Sequence, residues 1–337
     1  MGIEPARAPC RAGRRRSGAS AAADGRHAVH RYDIVALGEP LVEFNQTRGE
    51  DARAWRQGFG GDTSNMAIAA ARLGARVAYV TRVGDDAFGR MFRALWTAEG
   101  VAVDGVATDA DAPTGVYFVT HAASGHAFSY LRAGSAASRL APGNLPVDLI
   151  RAARALHVSG ISQAISTSAC DAVFAAIAAA RDAGARVYYD PNLRPKLWPR
   201  ERARAVALAT MAASDWCLPS REDAEWVFGT GEPDAVIDAC RRAGARGVVY
   251  KRGADGCVVD DGRTRVSVTS HRVASVDATG AGDCFDGAFA ARLAAGDDAF
   301  AAARYANAAA AIATTGWGAV DPLPRPRDVD ALLRRAA

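Results

Sequence analysis

Apolar runs and helical segments alternate along most of the chain. The run 32–37 is almost wholly apolar, which is typical of a buried strand. The alanine-rich residues 64–73 predict a helix, with Asp62 or Thr63 placed to cap it and Gly74 to end it. The same pattern predicts strands over 75–83, 155–158, 185–189, 215–218 and 247–251, and helices over 88–99, 167–183, 203–213, 221–228 and 233–243. A repeated strand–helix order implies an α/β fold, with a parallel or mostly parallel sheet covered by helices on both faces.

Two stretches, 41–59 and 114–130, break this alternation. Apolar and polar residues alternate there, as at 116–119, which indicates antiparallel strands without intervening helices. We expect these strands to form a small β-sheet over one edge of the main sheet. The chain shows no repeat of about 20 to 50 residues, so a solenoid or propeller is not expected.

Residues 1–31 differ from the rest. They contain seven arginines against Glu4 and Asp24, and almost no large apolar side chain. We expect this N-terminal extension to be disordered and dispensable, and it lacks the apolar segment of a secretory signal. A transit peptide and a cloning or start-site artefact are alternative interpretations.

The whole protein has 41 Lys and Arg against 37 Asp and Glu, a net charge of +4. The N-terminal extension alone carries +5, so the remaining chain is close to neutral, with a net charge of −1. This balance argues against a nucleic-acid-binding surface. Only Lys196 and Lys251 are lysines, so nearly all of the cations are arginine. A single arginine is therefore weak evidence for a function.

Composition excludes further classes of protein. Of the 337 residues, 50% are hydrophobic and 23% are charged, which is enough for a sizeable core of one or two domains. The longest uncharged stretch near the C-terminus, 305–320, is too polar to span a bilayer, so no membrane association is expected. The six cysteines are scattered without a C-x-x-C pair, and we expect a reduced, cytoplasmic protein.

The most informative segment is 276–289, which reads VDATGAGDCFDGAF. Its glycine-rich turn enters a predicted helix. The backbone N–H groups of Gly280, Ala281 and Gly282 would lie at the positive end of this helix and form an anion site. Asp283, in the first helical turn, is placed to take a proton from an attacking hydroxyl. An ordinary glycine turn with an acidic first helical turn is the alternative.

A second glycine turn, FGGDTSN at 59–65, precedes the alanine-rich helix. Its glycines, Gly61 among them, let the backbone approach a ligand closely. Asp62 and Asn65 can accept from or donate to sugar hydroxyls. A capped helix after a tight turn would have the same sequence, so this motif alone does not decide the function.

Taken together, GGDTSN near the start and DATGAGD near the end resemble the paired signature of the ribokinase-like (PfkB) carbohydrate kinases. The similarity extends over roughly residues 32–333. It implies one kinase domain over 32–337, with a three-layer α/β/α core, a mostly parallel central sheet and a small β-sheet lid from about 41–59 and 114–130.

The same resemblance implies a reaction. ATP and a divalent cation, Mg²⁺, would serve transfer of the γ-phosphoryl group to a sugar hydroxyl, a reaction that depends on positioning and charge neutralisation. Asp283 would be the base, with the turn 280–282 as the anion hole. A monovalent cation is an additional candidate cofactor. The family also implies a homo-oligomer, with a dimer through the lid as the candidate arrangement.

Within the family, four further segments look most like 2-keto-3-deoxygluconate kinases: YLRAGSAAS at 130–138, SGIS at 159–162, DPNLRPKLW at 190–198 and KRGADG at 251–256. By this resemblance, and with Asp62 added from its glycine turn, the residues that contact the sugar acid are Gly61, Asp62, Asn65, Tyr117, Tyr130, Arg132, Arg194 and Asp283. The nucleotide would be lined by Asn192, Ser220, Lys251, Arg252, Gly253, Ala254, Gly256, Gly280, Gly282 and Asn307.

The predicted substrate is 2-keto-3-deoxy-D-gluconate, phosphorylated on its terminal hydroxyl. A sugar acid carries a carboxylate that a neutral hexose lacks, and a guanidinium pairs with it through charge-assisted hydrogen bonds of about 1.5–3 kcal/mol each. Arg132 and Arg194 are the predicted carboxylate-binding residues. The galactonate-derived acid, which differs in the orientation of one hydroxyl, is equally compatible.

Two other functions remain as alternatives. Fructokinases share the DPNLR stretch and a lid arginine in many members, although the loop that begins at Lys251 differs from theirs. A non-catalytic sugar sensor on the same fold is the second alternative. It is disfavoured because Asp283 and its glycines are intact.

The chain departs from the family pattern at two places. Where many ribokinase-like chains have an Asn-x-x-Glu element tied to metal and phosphate, this one reads SRED at 220–223. Asp223 is the predicted metal-organising carboxylate, with Glu222 and Glu225 as alternatives. Glu43 occupies the place of a sugar-binding Asp in ribokinases, and an exposed strand glutamate is the other interpretation.

Overall fold

The computed structural model describes residues 1–2, 30–47, 53–122 and 125–336, and it arranges them as two β-sheets with helices on both sides. The strands in these ranges are β1 (Tyr32–Leu37), β2 (Leu41–Gln46), β3 (Trp55–Gly60), β4 (Val77–Gly84), β5 (Val101–Asp109), β6 (Val116–Ala122), β7 (Gly125–Leu131), β8 (Ala153–Ser159), β9 (Arg186–Asp190), β10 (Trp216–Cys217), β11 (Gly247–Lys251), β12 (Cys257–Asp260) and β13 (Arg265–Val268). The α-helices are α1 (Asp62–Arg72), α2 (Ala87–Ala98), α3 (Val147–Arg151), α4 (Gly160–Ala164), α5 (Thr167–Asp182), α6 (Arg200–Ala212), α7 (Arg221–Phe228), α8 (Pro233–Ala243), α9 (Ala281–Ala295), α10 (Ala299–Ala313) and α11 (Pro326–Ala336). Single 3₁₀ turns lie at Ala137–Arg139, Pro142–Asn144 and Gly253–Asp255.

The larger sheet has the strand order β13-β12-β11-β10-β9-β8-β1-β4-β5. Neighbours from β5 to β11 are parallel, and β12 and β13 add antiparallel at one edge. The mostly parallel sheet predicted from the strand–helix order is thus confirmed. Because β1 lies well inside this sheet, the loops at the carboxyl ends of β1, β8 and β9 meet at one edge, where ligands bind in such folds.

Side chains of the inner strand β1 alternate between two hydrophobic cores. Ile34 and Ala36 pack with helices α1, α9 and α10 on one face of the sheet. Val35 and Leu37 pack with α5, α6 and α8 on the other face. The sheet is therefore the middle of three layers, as expected for an α/β/α core.

The predicted second sheet is also present, in the order β3-β2-β6-β7, and it is called the small sheet below. Its β2–β3 and β6–β7 pairs are antiparallel, as expected. The β2–β6 pair is parallel, which differs from the expectation. The reason is that the chain passes through α1, β4, α2 and β5 between these two strands, and so long a crossover permits parallel pairing.

The two faces of the small sheet have different surroundings. Phe44 packs against Phe88 of α2, with ring centroids 5.9 Å apart, and closes one face. Glu43, Tyr117 and Tyr130 are cross-strand neighbours in register. Because successive strand residues point to opposite sides, these three side chains share the other face. That face looks toward the glycine-rich segment 276–289, since the charge of Asp283 is close enough to contribute to the raised pKa of Tyr117.

Helices α1 and α9 pack closely and bring the two glycine motifs together. At Gly287 in α9, a Cβ would lie 2.6 Å from the carbonyl oxygen of Met66 and 2.9 Å from the amide nitrogen of Ala70. Only a residue without a Cβ allows so close an approach. The first turns of the two helices consequently lie side by side, although they are far apart in the sequence.

Replacing Gly287 with alanine is expected to lower the free energy of unfolding by about 1–3 kcal/mol, because the new methyl overpacks the α1–α9 contact. The matched control is Gly143→Ala, since Gly143 is exposed, has nothing within 4 Å of its Cβ position and does not have positive φ. Urea unfolding of both variants measures the difference. Equal midpoints for the two variants would contradict the close packing.

The sequence pattern left out β5, β12, β13, α3, α4, α10 and α11. The stretch that begins near Tyr305, noted only as too polar for a membrane, contributes most of its length to the largely buried helix α10. Alanine has the highest helix propensity, and its small side chain allows α10 to pack against α9. Most residues of this helix are buried, so it lacks the polar face by which an amphipathic helix is recognised in a sequence.

The expectation of a disordered extension concerns residues of which 3–29 lie outside the described ranges. Among the described cysteines, the buried and unbridged ones are Cys170, Cys217, Cys240, Cys257 and Cys284. Of the helices that the structure describes, none has the length and apolarity needed to cross a bilayer.

Candidate active site

The glycine turn at 280–282 lies at the start of α9. Gly280 has a φ of 76°, and a Cβ there would be 2.9 Å from a neighbouring alanine methyl, so both conformation and space require glycine. Asp277 accepts hydrogen bonds from the Thr279 amide (3.0 Å) and hydroxyl (2.7 Å), and from the Gly318 amide (3.0 Å). These bonds fix the turn against the loop that follows α10.

The three predicted amide donors of this turn are not equivalent. The Ala281 amide donates to the carbonyl oxygen of Ala278 at 3.2 Å and is engaged in closing the turn. The amides in the first turn of a helix have no intrahelical partner and lie at the positive end of its dipole. Gly280 and Gly282 are therefore better candidates for anion binding than Ala281.

Asp283, the predicted base, lies in the first turn of α9 beside α1. The Nδ2 group of Asn65 donates a hydrogen bond to its Oδ2 at 2.8 Å. Enclosure by the protein, together with the nearby charge of Asp62, raises the pKa of Asp283 to about 7. A carboxyl group with such a pKa can accept a proton at neutral pH.

Asp62 and Asn65 each present an unsatisfied acceptor. Oδ2 of Asp62 accepts from the Ser159 hydroxyl and from Nδ2 of Asn192 (2.9 Å). Its Oδ1, and Oδ1 of Asn65, are buried and have no hydrogen-bond partner among the described residues. Buried acceptors without donors are costly, so this pair favours a ligand rich in hydroxyl groups.

Asn192, predicted in the nucleotide site, has a different place. It follows β9 with a φ of 37°, which non-glycine residues rarely adopt. Its amide nitrogen donates to Oδ1 of Asp190 (3.0 Å), while its side chain donates to Asp62. The structure therefore groups the Asn192 side chain with the residues predicted to bind sugar.

The active-site face of the small sheet carries a stack of aromatic rings. The hydroxyl of Tyr117 donates to Glu43, and the rings of Tyr117 and Tyr130 stack at 5.8 Å. Tyr130 is 41% exposed, and the guanidinium of Arg132 lies 5.4 Å from its ring centroid. Glu43 is buried rather than exposed, and burial raises its pKa. Flat rings with polar edges suit the faces of a sugar.

The two predicted carboxylate-binding arginines differ in their surroundings. Arg132 is nearly buried and forms an ion pair with the fully buried carboxylate of Glu39. Arg194 is exposed, and its guanidinium donates to the carbonyl oxygen of Leu193 at 2.9 Å. Burial raises the pKa of Asp62, and the charge of Arg194 opposes that rise. Arg194 therefore lies near the glycine turn at 59–65. No ion pair links Arg194 to a carboxylate of the described residues.

Lys251, predicted at the nucleotide, turns its ammonium inward. Nζ donates to Asp190 (2.9 Å) and to both oxygens of Asp286 (2.9 and 3.1 Å). It lies 3.8 Å from the position of a Cβ on Gly282, and so borders the anion turn. Burial alone would lower the pKa of Lys251, but the two carboxylates outweigh burial and raise it. The ammonium therefore stays protonated beside the turn, with its charge balanced by the two carboxylates.

The predicted metal residue Asp223 is engaged elsewhere. It forms a capping box with Ser220 at the start of α7, accepting from the Ser220 amide (2.9 Å) and hydroxyl (2.8 Å). Its other oxygen accepts from the Leu193 amide at 2.7 Å. Asp223 is thus a support for the loop after β9, because both of its oxygens already have donors. The alternatives Glu222 and Glu225 are exposed on α7.

A preformed metal cage is not seen in the described part of the chain, where no three acidic, His or Cys side chains come together in a way that could hold an ion. Mg²⁺ keeps several waters and is commonly bound through substrate phosphates with one or two carboxylates. The chain therefore fits a metal that arrives with the nucleotide rather than one held by the protein alone.

The predicted nucleotide loop forms a closed turn after β11. The amide of Arg252 donates to the Gly256 carbonyl oxygen at 2.8 Å, and the 3₁₀ turn beginning at Gly253 lies between them. Gly253 and Gly256 have φ values of 58° and 82°, and Ala254 is exposed. Ser220 forms a parallel bridge with Lys251. These residues therefore lie together at the carboxyl edge of the sheet.

Asn307, the last predicted nucleotide residue, is buried in α10. Its Nδ2 group donates to the carbonyl oxygens of Val268 (3.2 Å) and Thr269 (3.4 Å). The amide therefore holds the segment that leaves β13. In this arrangement Asn307 supports the loop rather than presenting an open side chain.

Three acidic residues near the site received no role from the sequence: Glu39, Asp190 and Asp286. Asp190 ends β9 and Glu39 follows β1, so both lie at the carboxyl ends of parallel strands, where such side chains converge. Asp286 stands three residues after Asp283, on the same side of the helix. Those two positional signals were available in the sequence.

Comparison with known proteins agrees with this geometry. A family model described as pfkB family carbohydrate kinase matches residues 32–326. A 2-dehydro-3-deoxygluconokinase of Thermoproteus tenax is 35% identical over 309 residues, covering 89% of this chain and 94% of the relative. Fructokinase-1 of Oryza sativa subsp. japonica is 36% identical over 317 residues, covering 90% and 98%.

Solved structures show the same fold. The fructokinase from Vibrio cholerae O395, in its form with fructose, ADP and calcium ion bound, has a TM-score of 0.80 and 28% identity, covering 89% of this chain and 99% of that one. The α/β/α core and small sheet are thus those of the ribokinase-like fold, and the sugar-kinase signature predicted from the two glycine motifs is confirmed. The protein belongs to the pfkB family of carbohydrate kinases.

Proposed function

We propose that this kinase transfers the γ-phosphoryl group of ATP to the terminal hydroxyl of 2-keto-3-deoxy-D-gluconate and forms the 6-phosphate. The observation that carries the proposal is Arg194, an exposed guanidinium near Asp62 that has no carboxylate partner among the described residues. A substrate carboxylate would complete its charge-assisted hydrogen bonds. The likeness to the Thermoproteus tenax 2-dehydro-3-deoxygluconokinase, named for the same sugar acid, supports this substrate.

The polyol part of the substrate has its own support. The buried acceptors of Asp62 and Asn65 lack donors, and sugar hydroxyls supply them. Tyr130 offers an exposed ring face on the small sheet above them. We infer that the small sheet covers the sugar as a lid, which excludes water from the site.

The chemistry follows from the two first helical turns. The sugar oxygen attacks the γ-phosphorus while the bond to the bridging oxygen of ADP breaks, and Asp283 takes the proton of the attacking hydroxyl. Asn65 holds the carboxylate in place through its 2.8 Å hydrogen bond. The amides of Gly280 and Gly282 attract the transferring phosphoryl group. Mg²⁺, when bound with ATP, neutralises phosphate charge.

Fructose is the second candidate substrate, and Arg132 favours it. The charge of Arg132 is already paired with Glu39, so this arginine offers hydrogen-bond donors without requiring an anionic partner. A neutral ketose needs donors of that kind. The similarity to fructokinase-1 of Oryza sativa subsp. japonica points to the same alternative.

ADP release by the purified protein with Mg-ATP distinguishes these substrates. At equal concentrations of 2-keto-3-deoxygluconate, fructose and ribose, we expect kcat/KM for the acid to exceed that for either neutral sugar by about 100-fold, as one or two charge-assisted hydrogen bonds would provide. The Asp283→Asn protein, purified in the same way, controls for contaminating kinases. A preference for fructose would contradict the proposed substrate, and binding without turnover would indicate a sugar sensor.

A further inference from the structure

Glu39 is a buried carboxylate that the proposed chemistry does not use. It follows β1 and leads into β2, at one of the crossings from the core to the small sheet. Its side chain has no exposed surface. A fully buried carboxylate is costly unless it has charged or hydrogen-bonding partners, so its partners indicate what it does.

The other connections to the small sheet also meet at Glu39. Gly61, where β3 leads into α1, packs so tightly that a Cβ would lie 2.3 Å from the Glu39 carbonyl oxygen. Gly115, just before β6, would place a Cβ 3.3 Å from Oε1. After β7, the Ser135 hydroxyl donates to Oε1 at 3.1 Å, and Arg132 donates to Oε2. Glu39 is therefore the common support of the segments that join the small sheet to the core.

The ion pair between Glu39 and Arg132 determines the charge and the hydrogen-bond donors that Arg132 offers to a substrate. Burial raises the pKa of Glu39, and the adjacent guanidinium of Arg132 opposes the rise. Nη2 of Arg132 is occupied by Glu39, whereas its Nε is buried and has no partner among the described residues. Arg132 thus has a donor available, but its positive charge is already compensated. Arg194 has no comparable carboxylate.

We propose that Glu39 is a positioning residue that holds and charge-compensates Arg132, so that Arg132 binds substrate hydroxyls and Arg194 distinguishes a sugar acid from a neutral sugar. The inference deepens the proposed function and rests on it for the identity of the acid. Glu39, which takes no part in the reaction, thus determines which part of the substrate each arginine binds.

Two variants test the proposed roles of the two arginines. Glu39→Gln removes the negative charge but keeps an acceptor for Arg132, and the double variant Glu39→Gln/Arg132→Gln removes the guanidinium without leaving an uncompensated carboxylate. We expect Glu39→Gln to strengthen binding of 2-keto-3-deoxygluconate about threefold or more while the constant for fructose stays within about twofold, because an uncompensated guanidinium attracts an anion. We expect the double variant to weaken binding of both sugars by similar factors, because it loses hydrogen-bond donors without a change in net charge. The measurement is KM for a sugar that is phosphorylated and the competitive inhibition constant for one that is not.

The ratio of acid to neutral-sugar constants separates this role from simple support of the fold, which would change both constants together. A Glu39→Gln/Arg132→Gln variant that loses the acid selectively would overturn the proposal, and so would a folded Glu39→Gln variant with unchanged acid affinity. If Glu39→Gln does not fold, the ratio in the double variant decides alone. If the wild-type protein phosphorylates fructose and not the acid, the proposed substrate is wrong, and the acid's inhibition constants in the same variants still test Glu39.

Discussion

Replacing Asp283 with asparagine is expected to lower kcat by about 10²–10⁴-fold, the usual contribution of a general base. The amide has nearly the same shape and can accept the hydrogen bond from Asn65, so the fold and the binding of both substrates should change little. The variant loses only the group that takes the proton of the attacking hydroxyl. Steady-state ADP release, with KM measured for both substrates, shows whether the loss is confined to kcat.

The pH profile gives the same prediction a second readout. A base works in its deprotonated form, and the pKa of Asp283 is about 7, so kcat/KM of the wild-type protein should rise as the pH increases through about 7. Asp283→Asn should lack this rise. Asp171→Asn, at an exposed position of α5, is the matched control and should retain both turnover and profile. Near-normal turnover of Asp283→Asn would refute its role as the base.

The two glycine motifs were readable because their chemistry is local. The segment 280–283 contains both signals. Gly280 allows the positive φ of the turn, and Asp283 is the acidic residue in the first turn of the helix that follows. The sequence does not show by itself that Asn65 lies 2.8 Å from Asp283, since 218 residues separate them. That contact depends on α1–α9 packing, which the missing side chain of Gly287 permits.

The Glu39–Arg132 pair could not have been predicted in the same way. Its members lie 93 residues apart, and their contact depends on how the small sheet joins the core. Each residue looks ordinary in the sequence: Glu39 follows a strand, and Arg132 is one of many arginines. The resemblance of this chain to a family can place Arg132 in a sugar site. It does not reveal that a buried carboxylate compensates the charge of Arg132.

The opposite case is Asp223, where a local pattern in the sequence indicates a structural role. Serine at a helix N-cap with an acidic residue three positions later is typical of a capping box, and the SRED segment has this pattern at Ser220. The structure gives Asp223 that structural task and adds the Leu193 amide. Its structural role could therefore be predicted from local physical chemistry, whereas its role toward a metal stays a prediction.

The lysine at position 251 has a geometric explanation. Only two lysines stand against 39 arginines in the chain, and one of these lysines lies buried between Asp190 and Asp286. A compact ammonium can donate to both carboxylates from one atom, whereas a guanidinium is larger and planar. Lysine therefore suits this buried position better than the arginine that is common elsewhere in the chain.

Replacing Arg194 with alanine is expected to raise KM for 2-keto-3-deoxygluconate about 10–100-fold and to leave kcat within a few-fold. One or two charge-assisted hydrogen bonds, at about 1.5–3 kcal/mol each, account for that factor. The carboxylate lies away from the hydroxyl that reacts, so the interaction contributes equally to the ground state and the transition state and changes KM rather than kcat. Initial rates over a range of acid concentrations, at saturating Mg-ATP, measure the effect.

Lys196→Ala is the matched control for this variant, because Lys196 is an exposed cation in the same loop. It tests whether a general loss of positive charge near the cleft would have the same effect. The constant for fructose in Arg194→Ala provides a second control, since a neutral sugar has no carboxylate to lose. The contrary result is an Arg194→Ala variant that binds the acid as well as the wild-type protein does. Arg194 would then be an ordinary surface residue, and the argument for a sugar acid would lose its main support.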